Sequence, residues 1–287
     1  MNARTTTTNS RAEQGSGISD QAFETLRSLV LDRIGVQLDG KRYLAESRLE
    51  PLMRTFETPT IDALMKATRT NTEVAEAVVE AMTTNETSFF RDGHPFEALA
   101  TTVLPEIFKR NPGARAQIWN AACSSGQESY SLAMTLFEHM GEVANASRVN
   151  IMSTDVSKQM VQRTNDAVYS RFEVNRGLSP QMVDKYFDRN GRHWVVKKHL
   201  RDLVNASEHN LLGAWHLIPR CDVVLIRNVL IYFSVATKAE ILRKIRTEIL
   251  QPGGYLLLGA SESTVGLDDA WEPKKVGEST FYVAPGD

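Results

Sequence analysis

Along the chain the apolar positions first recur at helical intervals and later gather into short unbroken runs. That change marks a passage from helices to a sheet. From Ile18 to about Thr84 the spacing is helical throughout. Phe23, Leu26, Val30 and Ile34 form one stripe, opened by Ser19 or Asp20 and closed by Gly35. Leu44, Leu49, Leu52 and Met53 form a second, over Tyr43 to Phe56. The stretches from Asp62 to Thr70 and from Val74 to Met82 supply two shorter ones. The pattern predicts a helical domain over residues 18–84, of about four helices and too small to hold a large core.

Asp92, Gly93 and Pro95 open a further helix that runs to about Lys109 and ends at Asn111-Pro112-Gly113. The apolar runs begin after it. Ile118 to Ala122 reads as a strand, broken at Ser124 to Gly126, and passes into a helix with Tyr130, Ala133, Phe137 and Met140 on its apolar side. Val149 to Thr154 reads as a second strand with Asp155 at its end, followed by a helix from Ser157 to Val168. Val223 to Ile226 is a third, with Arg227-Asn228 at its carboxyl end; a helix from Ser234 to Leu250, a turn at Pro252-Gly253-Gly254 and a strand from Tyr255 to Leu258 complete the alternation. Thr280 to Ala284 supplies a last strand. This is the signature of an α/β fold with a doubly wound sheet.

The stretch Arg171 to Leu211 interrupts that alternation. Ser179-Pro180 starts a helix to Phe187, Asn190-Gly191 is a hairpin-type turn, and Trp194 to Lys197 and Leu203 to Ala206 are strand-like. The expectation is a small antiparallel β-subdomain, about 188–208, inserted in the sheet's connections. The predicted domains are thus a disordered tail (1–17), the helical domain (18–84), a linker with its leading helix (85–117) and the sheet domain (118–287).

Composition narrows the function without naming it. The chain has 287 residues, 42% hydrophobic and 24% charged, which suits a large α/β domain beside a small one. A formal net charge of −2 gives no general pull towards nucleic acid or a membrane, so electrostatic targeting must be local. Two cysteines, Cys123 and Cys221, make no disulfide framework or metal cluster and suit a reducing cytosol; Cys123 reads as a small apolar filler rather than a nucleophile. The first 17 residues contain no apolar run of leader or membrane length, and no phosphate-loop, HExxH or paired-cysteine zinc motif occurs.

Four places carry candidate chemistry. The turn at Ser124 to Gly126 has one glycine where a pyrophosphate cradle wants several, and an anionic Glu128 follows it. A carboxylate there repels a pyrophosphate and attracts a cation, which fits S-adenosylmethionine better than NAD; it also fits an ordinary acidic first helical turn. Asp155 ends the second strand, where an acid accepts hydrogen bonds from ribose hydroxyls or caps the next helix. In the junction TTNETSFFRD (83–92), Asn85, Thr87 and Arg91 alternate with Phe89 and Phe90, so the segment can pack while aiming donors inward. Lys41, Arg42, Arg48 and Arg54 are either a solvated helix face or a docking surface for an acidic helix.

With these segments in place, the chain resembles the chemotaxis receptor methyltransferases, the CheR family. The resemblance rests on TTNETSFFRD at 83–92, AACSSGQESYSLAM at 121–134, STDVS at 153–157, NLL at 210–212, IRNVLIYF at 226–233 and LQPGGYLLLGASES at 250–263, in that order, and covers roughly Ile18 to Val283. It implies a class I methyltransferase-like sheet and an S-adenosylmethionine-dependent protein-glutamate O-methyltransferase acting on the cytoplasmic helices of bacterial chemoreceptors. The product would be S-adenosylhomocysteine, with no metal. By motif, the cofactor site falls to Asn85, Thr87, Arg91, Glu128, Asp155, Asn210, Leu211, Asn228 and Val229. The family's basic helix matches Arg42, Arg48 and Arg54, which would face the acidic receptor coil.

The chain departs from the family pattern twice. Gln127-Glu128-Ser129 stands where the family has Glu-Glu-Pro, which keeps the carboxylate at Glu128. The turn from Asp188 to His193 is shorter than in members that grip a tail at the receptor's carboxyl end, so recognition without that tether is expected.

The chemistry singles out two more roles. A glutamate with a pKa near 4.3 is already ionised at pH 7, so no base is needed. Its carboxylate approaches Glu128 and Asp155, however, and a cation and a donor must hold it. Arg91 and Tyr232 are the candidates, and the family resemblance points at the same pair. The alternatives are a methyltransferase for another protein or a small molecule, and a non-catalytic S-adenosylmethionine sensor; a nicotinamide oxidoreductase is disfavoured by the single-glycine turn. A cytoplasmic monomer recruited to membrane receptor arrays, without inserting in the membrane and without binding nucleic acid, is expected.

Overall fold

The computed structural model describes residues 17–38, 40, 42–141 and 144–286. The expected tail over 1–17, save Gly17, and Lys41 lie outside the described residues. The chain forms two compact units, one of residues 17–30 and 38–82, the other of 31–37 and 83–286.

The first unit is helical. It takes in α1 (Asp20–Ile34) as far as residue 30, α2 (Arg42–Thr55), α3 (Ile61–Ala67) and α4 (Thr72–Met82). Ser19 settles the choice of first cap, since its Oγ accepts the Ala22 amide at 3.2 Å. Thr60 caps α3 through the Ala63 amide at 3.1 Å, and Asn71 receives the Glu73 amide at 2.9 Å at the start of α4. Leu26, Val30, Leu49, Leu64 and Val78 are fully buried, the apolar stripes having turned inward as their spacing requires.

The second unit begins with the end of α1 and residues to 37, then resumes at Thr83. Helices α5 (His94–Ala98) and α6 (Leu104–Arg110) are joined by a wide π turn at Leu99–Val103. Next come β1 (Ala116–Ala121), α7 (Gln127–Met140), β2 (Val149–Asp155) and α8 (Lys158–Asp166). The inserted region supplies β3 (Val168–Ser170), α9 (Arg171–Asn175), α10 (Pro180–Tyr186), β4 (Phe187–Asn190), β5 (His193–Val196) and α11 (Lys198–Arg201). The chain continues through β6 (Val204–Glu208), β7 (Cys221–Ile226), α12 (Val235–Lys244) with a π turn at Ile245–Ile249, β8 (Leu250–Leu258), β9 (Glu272–Val276) and β10 (Ser279–Val283).

Seven strands make one sheet in the order β6-β2-β1-β7-β8-β10-β9. The pairs from β6 to β8 are parallel, and β10 pairs antiparallel with both β8 and β9. Alternate residues of the central strands serve two cores. Ile118, Val223, Leu225, Tyr255 and Leu257 face one, while Trp119, Val224, Ile226, Leu256 and Leu258 face the other. A strand covered on both faces is apolar at nearly every position, which is why Val223–Ile226 of β7 and Tyr255–Leu258 of β8 stand out as runs; in β1 the buried Asn120 is accommodated because its Nδ2 donates to Ser129 Oγ at 2.8 Å.

The inserted subdomain differs from the expectation. Its sheet is β3-β5-β4, antiparallel, and Leu203 to Ala206 is not part of it. Instead β6 pairs in parallel with β2, from Ile151 opposite Val204 to Asp155 opposite Glu208, as the edge of the main sheet. An edge strand with Asn205, Ser207 and Glu208 exposed alternates like an antiparallel strand, so its polarity pattern hides its parallel pairing. The hairpin between β4 and β5 turns on Gly191, φ +60°, and Arg192, with Gly at the first central position as in a type II′ turn.

Candidate active site

The strand order reverses beside β1. The chain leaves β1 through β2 to β6 on one side, and β7 and β8 build the other. Ligands in such sheets bind in the crevice outside the carboxyl ends at that reversal. Here the segments that follow β1, β2, β6 and β7 line one cleft together with Thr83 to Thr87, Arg91, Ile34 and Val36. The cleft is partly open to solvent. Every residue assigned above to cofactor or catalysis lines it: Asn85, Thr87, Arg91, Glu128, Asp155, Asn210, Leu211, Asn228, Val229 and Tyr232.

The turn between β1 and α7 is wound through the left-handed region. Ala122 has φ +56°, Ser124 +50° and Gly126 +88°. Non-glycine residues hold such angles only where neighbours over-determine them. Asp155 is one such neighbour: its Oδ2 accepts the Ser124 amide at 2.8 Å and its Oδ1 the Ser157 amide at 2.9 Å. Ser124 Oγ also donates to the Asn85 carbonyl at 2.8 Å, so the junction segment is tied to the same turn. The alternative role of Asp155 as helix cap falls, because Ser157 Oγ accepts the Met160 amide at 3.1 Å and caps α8. At Gly126 a Cβ would lie 2.8 Å from Thr164 Cγ2, so glycine is needed there for closeness to α8 as well as for its φ.

Glu128 is not the lone carboxylate that the sequence suggests. It forms an ion pair with Arg227, whose side chain is only 1% exposed. The same guanidinium reaches Asp92 Oδ2 at 2.6 Å and the Arg91 carbonyl at 3.2 Å. Burial pushes the Glu128 carboxyl above its usual range, against the lowering by Arg227 and Arg91. Sequence reasoning placed Arg227 at a strand end but gave it no role. Its partner lies 99 positions away, and only the parallel pairing of β1 with β7 brings the two strand ends together.

The remaining residues are held by their surroundings. Asn228, at φ +59°, donates its amide to Glu262 Oε2 at 2.7 Å, and Gly259 donates to the same oxygen at 2.8 Å. Glu262 thus clamps the ends of β7 and β8, another role the sequence did not reveal. Asn210 Nδ2 donates to the Arg33 carbonyl at 2.6 Å and its Oδ1 receives the Leu212 amide at 3.0 Å. Tyr232 ends a single 3-10 turn, and its carbonyl accepts the Gln37 amide at 3.1 Å. His209 also lines the cleft, its ring set edge-on to Trp119 and Trp215 with centroids 5.8 and 5.9 Å away. Burial lowers its pKa, and its Nε2 is buried with no hydrogen-bond partner among the described residues. Burial likewise raises the Cys123 thiol far above its usual range, in keeping with a filler rather than a nucleophile.

Within the helical unit the three arginines differ. Arg42 donates to the Ile18 carbonyl at 2.7 Å, pairs with Asp20 at 2.5 Å and stacks over Phe23. Arg48 donates to the Met82 carbonyl at 3.1 Å at the end of α4, where a cation also suits the helix dipole. Among the described residues Arg54 makes an i,i+4 pair with Glu50 at 3.1 Å and no other ion pair, and it is 71% exposed.

The residues present fit S-adenosylmethionine. Three carboxylates, Glu86, Glu128 and Asp155, and two guanidiniums, Arg91 and Arg227, line the cleft, leaving one negative charge for a ligand of net charge +1. Ile34, Val36, Leu211, Val229 and Phe233 add apolar wall for a purine. Among the described residues no group of three or more His, Cys, Asp or Glu is placed to hold a metal ion, and no helix is long and apolar enough to cross a membrane.

Comparison with known proteins agrees with this geometry. Residues 85–279 match the family described as CheR methyltransferase, SAM binding domain, and residues 21–83 the one described as CheR methyltransferase, all-alpha domain. The chain is 40% identical over 269 residues to chemotaxis protein methyltransferase 1 of Pseudomonas aeruginosa, covering 91% of this chain and 97% of the other. It is 38% identical over 270 residues to a Pseudomonas putida chemotaxis protein methyltransferase (91% and 97%) and 32% identical over 254 residues to that of Escherichia coli (86% and 85%). The chain therefore belongs to the CheR methyltransferase family and is an S-adenosylmethionine-dependent methyltransferase.

Proposed function

We propose that the protein methylates glutamate side chains on the cytoplasmic helices of chemoreceptors, forming glutamyl methyl esters. The observation that supports this most is the placing of Arg91 and Tyr232 in the wall of a cleft that also holds Glu128 and Asp155. A substrate that is already an anion needs no base, but it does need a cation beside those acids.

S-adenosylmethionine supplies a methyl group activated by a positive sulfur. The protein's own residues do the rest. Asp155 and Glu128 would hold the cofactor's polar groups, with Asn85, Thr87, Asn210, Leu211, Asn228 and Val229 lining the same cleft. Arg91 neutralises and orients the incoming carboxylate, and the Tyr232 hydroxyl donates a hydrogen bond to it. Holding both reactants in one cleft replaces a bimolecular encounter with a positioned one.

Recognition of the receptor falls to the helical unit, with Arg54 the arginine that α2 offers most fully to solvent. Attraction between that face and an acidic coil would steer association and recruit the protein to receptor arrays. The two-residue turn between β4 and β5 leaves a short hairpin, so we read recognition as independent of a carboxyl-terminal receptor tail. Methylation of receptor signalling domains with and without their carboxyl tails tests this. Equal rates are expected; a reaction that needs the tail would overturn tether independence, and no methylation of either would overturn the substrate.

A further inference from the structure

Arg91 sits in a segment that is expensive to hold. Phe90 has φ +50°, Asp92 +67° and Gly93 +61°, so Arg91 lies between two non-glycine residues in the left-handed region. Side chains rarely adopt this region, and the direction of the Arg91 side chain depends on both neighbours being kept there. Phe90 is fixed by its amide, which donates to Ser131 Oγ on α7 at 2.8 Å. The other side is fixed by Arg227. One Nη of that guanidinium contacts both the Arg91 carbonyl (3.2 Å) and the Asp92 carboxylate (2.6 Å), and the other is on Glu128.

We infer that Arg227 is a positioning residue for methyl transfer: its buried fork fixes the strained loop that aims Arg91 and ties that loop to the cofactor carboxylate Glu128. The inference rests on the role proposed above for Arg91. A counter-ion serving Glu128 alone would need no second arm, yet Asp92 takes one and does not line the cleft. The task also calls for arginine, since a lysine ammonium cannot present two nitrogens to partners on two sides. The Phe96 ring, 5.7 Å from the guanidinium carbon, closes the pocket in which the fork is held.

Asp92 gives the test, because it is 31% exposed and its replacement need not disturb the core. Asp92→Asn, Arg227→Lys, Arg91→Ala and the double variant Arg91→Ala/Asp92→Asn are compared by kcat at saturating cofactor and substrate and by calorimetric Kd for S-adenosylmethionine. Asp92→Asn is expected to lower kcat about tenfold with Kd changed less than about threefold, and Arg227→Lys to lower kcat further. The double variant should be no slower than Arg91→Ala, because the loop then has nothing to aim. A kcat for Asp92→Asn within about twofold of the native protein, or losses that multiply in the double variant, would overturn the inference while leaving Arg91 its role. A native kcat in Arg91→Ala would remove the role of Arg91 and the inference with it.

Discussion

Ser124 donates its backbone amide to the Asp155 carboxylate at 2.8 Å while its own φ stands at +50°. The acid that ends β2 thus holds the strained turn that ends β1, and both line the cleft. Asp155→Asn turns one acceptor oxygen into a donor and leaves one loop amide unmatched. It should cost about 1–3 kcal/mol of stability and weaken S-adenosylmethionine binding at least about tenfold. A denaturant titration and cofactor calorimetry measure the two losses.

The arginines of α2 should separate by function. Arg48 caps the carbonyl end of α4, so Arg48→Ala should lower stability by about 1 kcal/mol, seen as a lower Tm. Arg54→Glu should leave Tm nearly unchanged and slow receptor methylation, the deficit shrinking as salt rises from low to physiological ionic strength. An unaltered rate at low salt would leave Arg54 without a part in docking.

Gly177 has φ +109°, and a Cβ there would lie 2.0 Å from the Phe89 carbonyl oxygen. Phe89 is 1% exposed and packs edge-on against Tyr169 and Phe187, which anchors the segment leading to Arg91. Gly177→Ala should therefore destabilise the protein by about 2–4 kcal/mol and lower kcat in the fraction that folds. Thermal melting with turnover per folded molecule provides the check.

How much of this was legible in the sequence depends on burial. The strands β1, β7 and β8 are covered on both faces and read as largely apolar runs, interrupted in β1 by Asn120, so their places and the turns after them could be found. The edge strand β9 exposes Glu272, Pro273 and Lys275 and keeps only Val276 buried, which left no run to see. The parallel pairing of β6 was hidden instead by its exposed Asn205, Ser207 and Glu208, which give an edge strand the look of an antiparallel one. The cleft residues were named by motif, but Arg227 and Glu262 were not given roles, because their partners are brought near only by strand order. Nothing in the local pattern distinguishes a buried arginine at a strand end from an exposed one.

The His209 ring offers a pH signature. Burial holds its pKa below the ordinary value of 6.5, so the folded protein resists protonation there more than the unfolded chain does. Below about pH 6.5 the unfolded state binds a proton that the folded state declines, and stability falls with falling pH until the folded pKa is passed. His199 is shifted the same way, so the native protein must be compared with His209→Gln. The variant's stability should fall less steeply between about pH 6.5 and 5; identical slopes would place the titration elsewhere.

The proposed reaction delivers a methyl group from the cleft to a glutamate carboxylate. It is checked by incubating receptor signalling domains with the protein and S-adenosylmethionine carrying a labelled methyl group, then exposing them to mild alkali. Label should enter the receptor and leave it as methanol on base treatment, because a glutamyl methyl ester hydrolyses there. Label that stays bound through alkali, or none incorporated although the cofactor binds, would contradict the account.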